Sequence, residues 1–356
     1  MKKLILYNVL FSILFFTFSE ILFRSYLSIK HLKNPHVSYW GKTWYRFYQL
    51  NFTKFDENLI SVLKEVSHKN VDLPRWKKNS NITVNYKGFR DNNNHSIIFK
   101  NKKKILVTGD SFTFGEQVSD EETWPSCLER ETKLLVNNGG HPGYSTGQSL
   151  RKAIIELSQE DYDYFIWSIF PDDFKRDTKN KIIIKKNNIL QFNKFKKIDH
   201  IDTKYVKKNI YNYLKELSFI IYIFDREIIS KYNKPKKQIL FTPTLGKSIN
   251  YTMQQQINFL ISQFEKIQVK NKYILLQYSD QSPNSNKNVI NKYNDMADLY
   301  FNSLKKLSLN KNIIILDSKE IFMKMPEIEQ RLSWFDHHTD YGNLKVCNFI
   351  LEKIDF

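Results

Sequence analysis

A chain of 356 residues, 41% hydrophobic and 15% aromatic, can bury a full core, which excludes a disordered or low-complexity protein. The formal net charge of +18 would suit a nucleic-acid binder. Its lysines, however, are spread with Asn and Ile over the whole chain, as at Lys103, Lys179, Lys207 and Lys270, and no zinc-finger, RNP or helix-turn-helix signature accompanies them, so no nucleic-acid partner is expected.

In chain order, Leu4 to Phe23 reads LILYNVLFSILFFTFSEILF after the basic start Met1-Lys2-Lys3. That is about the length of a bilayer span. No small-residue cleavage site follows, so residues 1–24 are expected to be an uncleaved transmembrane signal-anchor. Lys2 and Lys3 favour an inside N-terminus, although Arg24, Lys30 and Lys33 put comparable charge on the other side. Because short N-terminal anchors generally export the chain behind them, the remainder is expected on the periplasmic or extracytoplasmic side. A basic surface there favours anionic neighbours such as lipid headgroups or acidic polysaccharide. Residues 25–84 are aromatic and polar without a clear period, and are expected to form a membrane-proximal neck.

From residue 85 to the C-terminus the pattern changes. A turn-rich segment, Asn85-Tyr86-Lys87-Gly88-Phe89-Arg90-Asp91, leads to the apolar run Ile105-Leu106-Val107. Thr123 to Leu135 has helical amphipathicity, Leu135-Val136 ends a second apolar stretch, and Ser149 to Leu157 is helical. Tyr164 to Phe170, Tyr273 to Gln277 and Ile313 to Leu316 read as buried strands. Strands alternating with helices predict an α/β fold, a central parallel sheet between two helical layers. Residues from about 177 to 237 interrupt the rhythm with a Lys-rich insertion in which Tyr211 to Phe224 is amphipathic. The two cysteines, Cys127 and Cys347, fall on different predicted helices; a bridge between them is the alternative, but nothing in the pattern supports it, and they are expected as free, buried thiols.

Four segments carry chemistry. Thr108-Gly109-Asp110-Ser111-Phe112 follows the first strand of the sheet, where a serine at a tight turn stands at the ligand-binding edge of an open α/β sheet. The loop Asn138-Gly139-Gly140-His141-Pro142-Gly143 leaves backbone N–H groups free to face negative charge. His141 has nothing acidic beside it and is read as structural. Phe170-Pro171-Asp172-Asp173 ends the third strand. Trp334-Phe335-Asp336-His337-His338 places a carboxylate and imidazoles on one turn, where the carboxylate can fix a tautomer and the free nitrogen can take a proton from serine. The cluster offers too few ligands for a metal site, and no metal or other cofactor is expected.

In this order the segments resemble the SGNH/GDSL hydrolase superfamily, in particular bacterial members with an N-terminal membrane segment and an Asn-x-x-Gly-x-Arg segment, here Asn85 to Arg90. The resemblance runs from about Asn85 to the C-terminus and implies a three-layer, flavodoxin-like α/β/α domain over residues 85–356. It implies Ser111 as nucleophile, Asp336 and His338 as its acid and base, and an oxyanion hole made by the N–H groups of Ser111 and Gly143. Two departures stand out. Asp172 occupies the place of an Asn that donates to the oxyanion, and a carboxylate has no proton to give unless it is protonated. His338 keeps the Asp-x-His spacing, whereas His337 better matches the family distance to a following glycine, here Gly342; His338 is the expected base and His337 the alternative. The implied activity is serine-esterase hydrolysis of an acyl ester, O-acetyl above all, on an envelope glycan or lipid. An O-acetyltransferase and a catalytically impaired glycan-binding protein are the alternatives.

Overall fold

A computed structural model of the chain describes residues 7–8, 11–12, 14–22, 52–71, 79–94, 103–197, 241–243, 251–278, 287–309, 311, 313–335 and 337–356. The chain divides into two compact units, residues 42–196 with 243–356, and residues 1–41 with 197–242. In the smaller unit, residues 14–22 are helical and expose Leu14, Phe15, Phe18, Ile21 and Leu22. Among the described residues no helix is long and apolar enough to cross a membrane. Residues 4–6, 9–10, 13 and 23 of the expected span lie outside that set, as does Tyr211 to Phe224.

The larger unit opens with two antiparallel hairpins, β1 (Thr53–Asp56) with β2 (Ile60–Leu63) and β3 (Val66–Val71) with β4 (Ser80–Val84). Part of the expected neck is thus ordered sheet. Phe52, Leu63, Val71, Ile82 and Val84 bury themselves around Phe114, three residues beyond Ser111. Aromatic spacing gave no period because each strand is only four to six residues long.

Five strands then build the central sheet: β5 (Lys104–Gly109), β6 (Leu135–Gly140), β7 (Tyr164–Ile169) and, after the hairpin of β8 (Ile183–Lys186) with β9 (Ile189–Phe192) and the short β10 (Phe195–Lys197) and β11 (Phe241–Pro243), β12 (Asn271–Leu276) and β13 (Ile314–Asp317). Their spatial order is β13-β12-β7-β5-β6, and every neighbouring pair is parallel. The chain steps from β5 outward to β6 and then back across β5 to β7. The strand order therefore reverses between β5 and β7, and the crevice beyond their carboxyl ends is where open α/β sheets bind ligands.

Both faces are covered, which is why these strands read as continuous apolar runs. Successive side chains alternate between faces. Ile105, Val107, Tyr164, Ile166, Tyr273 and Leu275 enter one core with Trp124, Cys127, Leu128, Val346 and Ile350. These come from two helices, one at Trp124–Thr132 and one at Asp340–Lys353. On the opposite face Phe165 and Trp167 meet the ring of Phe264 in the helix Met253–Glu265, beside the helix Thr146–Leu157. The result is the three-layer α/β/α arrangement.

In chain order the helices that matter for the site and its support are α1 (Ser111–Phe114), α2 (Trp124–Thr132), α3 (Thr146–Leu157), α4 (Asp173–Lys179), α5 (Met253–Glu265) and α6 (Asp340–Lys353). α2 and α6 pack side by side, bringing Cys127 and Cys347 to a Cα–Cα distance of 6.0 Å. They form a disulfide, and neither is the free thiol expected from the sequence. A separation of 220 residues hides such a pairing from the sequence; only the packing of the two helices reveals it. The Lys-rich insertion also begins later than its composition suggests. Asp177 is fully buried, accepting from Gly147 N–H at 2.9 Å and Gln256 Nε2 at 2.9 Å, so α4 belongs to the main unit.

Candidate active site

Strand β5 ends in Gly109, and a Cβ there would lie 2.0 Å from Thr113 Oγ1, so the turn into α1 can close only around glycine. Asp110 caps α1: its carboxylate accepts from Phe112 N–H at 3.0 Å. Ser111 is the first helical residue, and its hydroxyl donates to Asp110 Oδ2 at 3.4 Å. α1 is closed by Gly115 in the left-handed region (φ 77°), and both Gly115 N–H and Glu116 N–H donate to Ser111 O at 3.0 Å.

Arg90, delivered by the Asn85-to-Arg90 turn, fixes this loop from behind. Asn85 Oδ1 accepts from Lys87 and Phe89 N–H, and Gly88 takes the positive φ of 79° that the turn requires. The buried guanidinium then donates to Asp120 (2.9 Å), Phe114 O (2.8 Å), Gly115 O (2.5 Å) and Val118 O (2.6 Å).

The loop after β6 lies alongside. Asn138 Oδ1 accepts from Gly140 N–H at 3.1 Å, and His141 N–H donates to Gly109 O at 3.1 Å. Gly143 has φ 81°, yet a Cβ there would meet nothing within 4 Å. It is needed for its backbone conformation, and the space in front of it is open. Among the described residues no protein acceptor takes the N–H of Ser111 or Gly143. His141 stacks on Tyr144 (4.0 Å between centroids) and contacts Pro142 O and Ser61; burial lowers its pKa to about 3, consistent with the structural role read from sequence.

At the end of β7, Asp173 is buried and its carboxylate accepts from Phe170 N–H at 3.3 Å and Arg176 Nη1 at 2.6 Å. Arg176 Nη1 also donates to Tyr144 O (2.9 Å) and stands 3.9 Å from Asp110 Oδ2. One guanidinium thereby joins the three loops that follow β5, β6 and β7. Burial raises the pKa of both Asp110 and Asp173, and the neighbouring Asp110 carboxylate raises that of Asp173 further, against the attraction of Arg176. Asp172 is half-buried, with its carboxylate 3.8 Å from Arg176 Nη2. It faces a cation.

The C-terminal turn corrects the expected choice of histidine. Trp334–Phe335 pairs antiparallel with His337–His338, Phe335 opposite His337 and Trp334 opposite His338. Neighbours on an extended strand point to opposite sides. His337 Nε2 therefore lies 2.7 Å from Ser111 Oγ, within hydrogen-bond reach. His338 is turned inward, 1% exposed, with its ring against Phe112 and Phe322. Burial, with a smaller contribution from His337, lowers its pKa to about 3, which keeps it neutral. A Cβ on Gly342 would stand 2.2 Å from Ser333 O and 3.3 Å from His338 Cβ, so the close approach of this turn requires that glycine. The structure thus brings His337, the alternative, to Ser111, and buries His338, the expected base, against Phe112 and Phe322. Asp336 lies outside the described residues.

A serine, an imidazole and open backbone donors thus meet at the reversal point of a parallel sheet. The chain is similar to solved G-D-S-L lipolytic proteins. One from Desulfitobacterium hafniense shares 13% identity over 71% of this chain and 100% of its own, with a TM-score of 0.40. A lipase/acylhydrolase from Enterococcus faecalis shares 14% identity over 71% of this chain and 95% of its own, at 0.39. The acetylxylan esterase Axe2 from Geobacillus stearothermophilus shares 15% over 71% and 94%, at 0.38. No family model and no curated protein matches. Likenesses this distant carry no function across, and the chemistry of the site has to do so.

Glu116 had no signal in the sequence, and the part played by Arg176 was only partly legible. Glu116, 3% exposed, places Oε2 3.8 Å from His337 Nε2. Arg176 was legible only as a cation near Asp172, alongside Lys175, and not as the group that joins the three loops. Among the described residues no group of three or more His, Cys, Asp or Glu could hold a metal ion.

Proposed function

We propose that this chain is a serine esterase of the SGNH/GDSL type, acting on acyl esters, O-acetyl above all, of an envelope glycan or lipid. The observation that carries the reading is the 2.7 Å approach of His337 Nε2 to Ser111 Oγ at the carboxyl edge of β5. With Nε2 as acceptor, the hydroxyl proton passes to His337 as Oγ bonds to the ester carbonyl carbon. The carbonyl oxygen becomes an oxyanion facing the Ser111 and Gly143 N–H groups. Its collapse expels the alcohol, which takes the proton from His337. Water then repeats the sequence on the acyl-enzyme, releasing the acid and restoring Ser111.

Asp172 takes no donor role in this mechanism. A carboxylate 3.8 Å from Arg176 acts as its counter-ion, and the two backbone donors carry the oxyanion. Asp336 was expected as the acid of His338; as the chain neighbour of His337 it is poorly placed to orient that ring, and it is given no role in this mechanism. The exposed apolar side chains of residues 14–22 support membrane anchoring, and the disulfide supports an oxidising, extracytoplasmic location for the catalytic unit.

A fluorophosphonate probe tests the reading: the native chain should be labelled and Ser111→Ala should not. A folded native chain that stays unlabelled would end it and leave a glycan-binding role. Product analysis on an acetylated glycan, with and without an acceptor sugar, separates hydrolysis from O-acetyl transfer.

A further inference from the structure

We infer that Glu116 is a second carboxylate acting on the base, stabilising the protonated form of His337 from the substrate side of its ring. The inference rests on the proposed hydrolase reading and deepens it. The geometry is specific to one nitrogen. Glu116 Oε2 lies 3.8 Å from Nε2, the same atom that faces Ser111 Oγ at 2.7 Å. The acid of a serine triad supports the other ring nitrogen, Nδ1. Glu116 therefore stands where the proton arrives.

Its placement is fixed by the nucleophile's own turn. Glu116 N–H donates to Ser111 O, and the adjoining carbonyls of Phe114, Gly115 and Val118 are held by Arg90. The side chain is almost completely withdrawn from water, 4% exposed against 13% for that of His337, so its field at the imidazole is poorly screened. Among the described residues, the other titratable groups near His337 are Asp110, whose Oδ2 is 3.4 Å from Ser111 Oγ, and the neutral His338 next to it in the chain. Asp336 is outside the described residues. Glu116 is the described carboxylate within 4 Å of the ring.

The balance of the step is simple. When Ser111 Oγ bonds to the acyl carbon, its proton moves to Nε2 and a positive charge appears on the ring, 3.8 Å from a carboxylate that neither gains nor loses a proton. An opposite charge at this range favours the cation and makes His337 a stronger base. The same charge repels an anionic group that approaches this edge. The substrate class narrows accordingly, to esters whose alcohol portion is neutral next to the scissile bond, as in an acetylated neutral sugar.

The test is titration of the imidazoles in the full-length protein labelled at its eight histidines, with His337 assigned by its loss in His337→Gln. In Glu116→Gln the His337 pKa should fall by about 1–3 units, and in Glu116→Asp it should stay near the native value. The acidic limb of fluorophosphonate labelling against pH should move down by the same amount in Glu116→Gln. A merely structural Glu116 would change the amount of folded protein and leave the His337 titration where it was, and that result overturns the inference. Should neither variant fold, the native protein still decides: His337 should titrate above the unperturbed histidine value of about 6.5, and a value at or below it refutes the proposal. Absence of labelling in the native chain would refute the hydrolase reading, while the imidazole titration would still decide the role of Glu116.

Discussion

Arg90 holds the nucleophile's turn without touching the nucleophile, and its replacement gives a stability effect that can be worked from the structure. Its guanidinium donates to the Asp120 carboxylate and to the carbonyls of Phe114, Gly115 and Val118, all buried. Arg90→Lys keeps the charge near Asp120 but cannot reach the carbonyls in the fork geometry of arginine. Leaving a buried acceptor unpaired costs about 1–3 kcal/mol, so the three orphaned carbonyls give a loss of about 3–6 kcal/mol after partial relaxation. Arg90→Met also leaves Asp120 as an uncompensated buried charge, and breaking such a pair costs about 3–5 kcal/mol, so its loss should exceed that of Lys. Against a total stability of roughly 5–15 kcal/mol either is severe.

The two variants also differ in pH dependence. Burial raises the Asp120 pKa above 3.8, against the attraction of Arg90. Without the guanidinium it rises further. A raised folded pKa contributes stability that is present at low pH and lost as pH rises through it. The Met deficit should therefore be larger at about pH 8 than at about pH 5, and the Lys deficit nearly constant. Urea unfolding at both pH values measures this. An Arg90→Lys protein within about 0.5 kcal/mol of native, the scale of ordinary surface substitutions, would refute the role assigned to Arg90.

Other perturbations read other parts of the account. Replacing Cys127 and Cys347 by serine opens a loop of 220 residues and should cost about 5 kcal/mol in chain-entropy terms, seen as an equal drop on adding a reductant to the native protein; insensitivity to reductant would count against the disulfide. Asp172→Asn should change esterase turnover little at any pH, because the side chain serves Arg176; a drop of about a hundredfold, typical of a lost oxyanion group, would restore it to the machinery. Asp177 has its pKa raised to about 7 by burial, so it contributes stability present below about 3.8 and lost as pH rises toward 7. Asp177→Asn should flatten stability across that window in thermal melts, and an unchanged slope would refute the assignment.

Much of the sheet was legible because a parallel sheet covered on both faces needs unbroken apolar strands, and Ile105-Leu106-Val107 and Tyr164 to Ile169 are such runs. Thr123 and Ser145 cap α2 and α3 within a few residues of the expected helix starts. What escaped depended on distance or direction. The pairing of Cys127 with Cys347 follows from the packing of α2 on α6. The choice between His337 and His338 is a matter of which side of a two-residue strand each occupies, and adjacent identical residues give composition nothing to separate. Glu116 and Arg176 carry no motif of their own; their importance comes from the turn and the loops that they join. Ser111 and Gly143, by contrast, were singled out through the family resemblance to which the order of the motifs led.

The most direct test of the account compares kcat/KM for ester hydrolysis in His337→Gln and His338→Gln, each shown to be folded. The account predicts a loss of about 10³-fold or more for His337→Gln, the scale of a missing general base, and a loss below about tenfold for His338→Gln. A collapse of activity in His338→Gln with His337→Gln near native would contradict it.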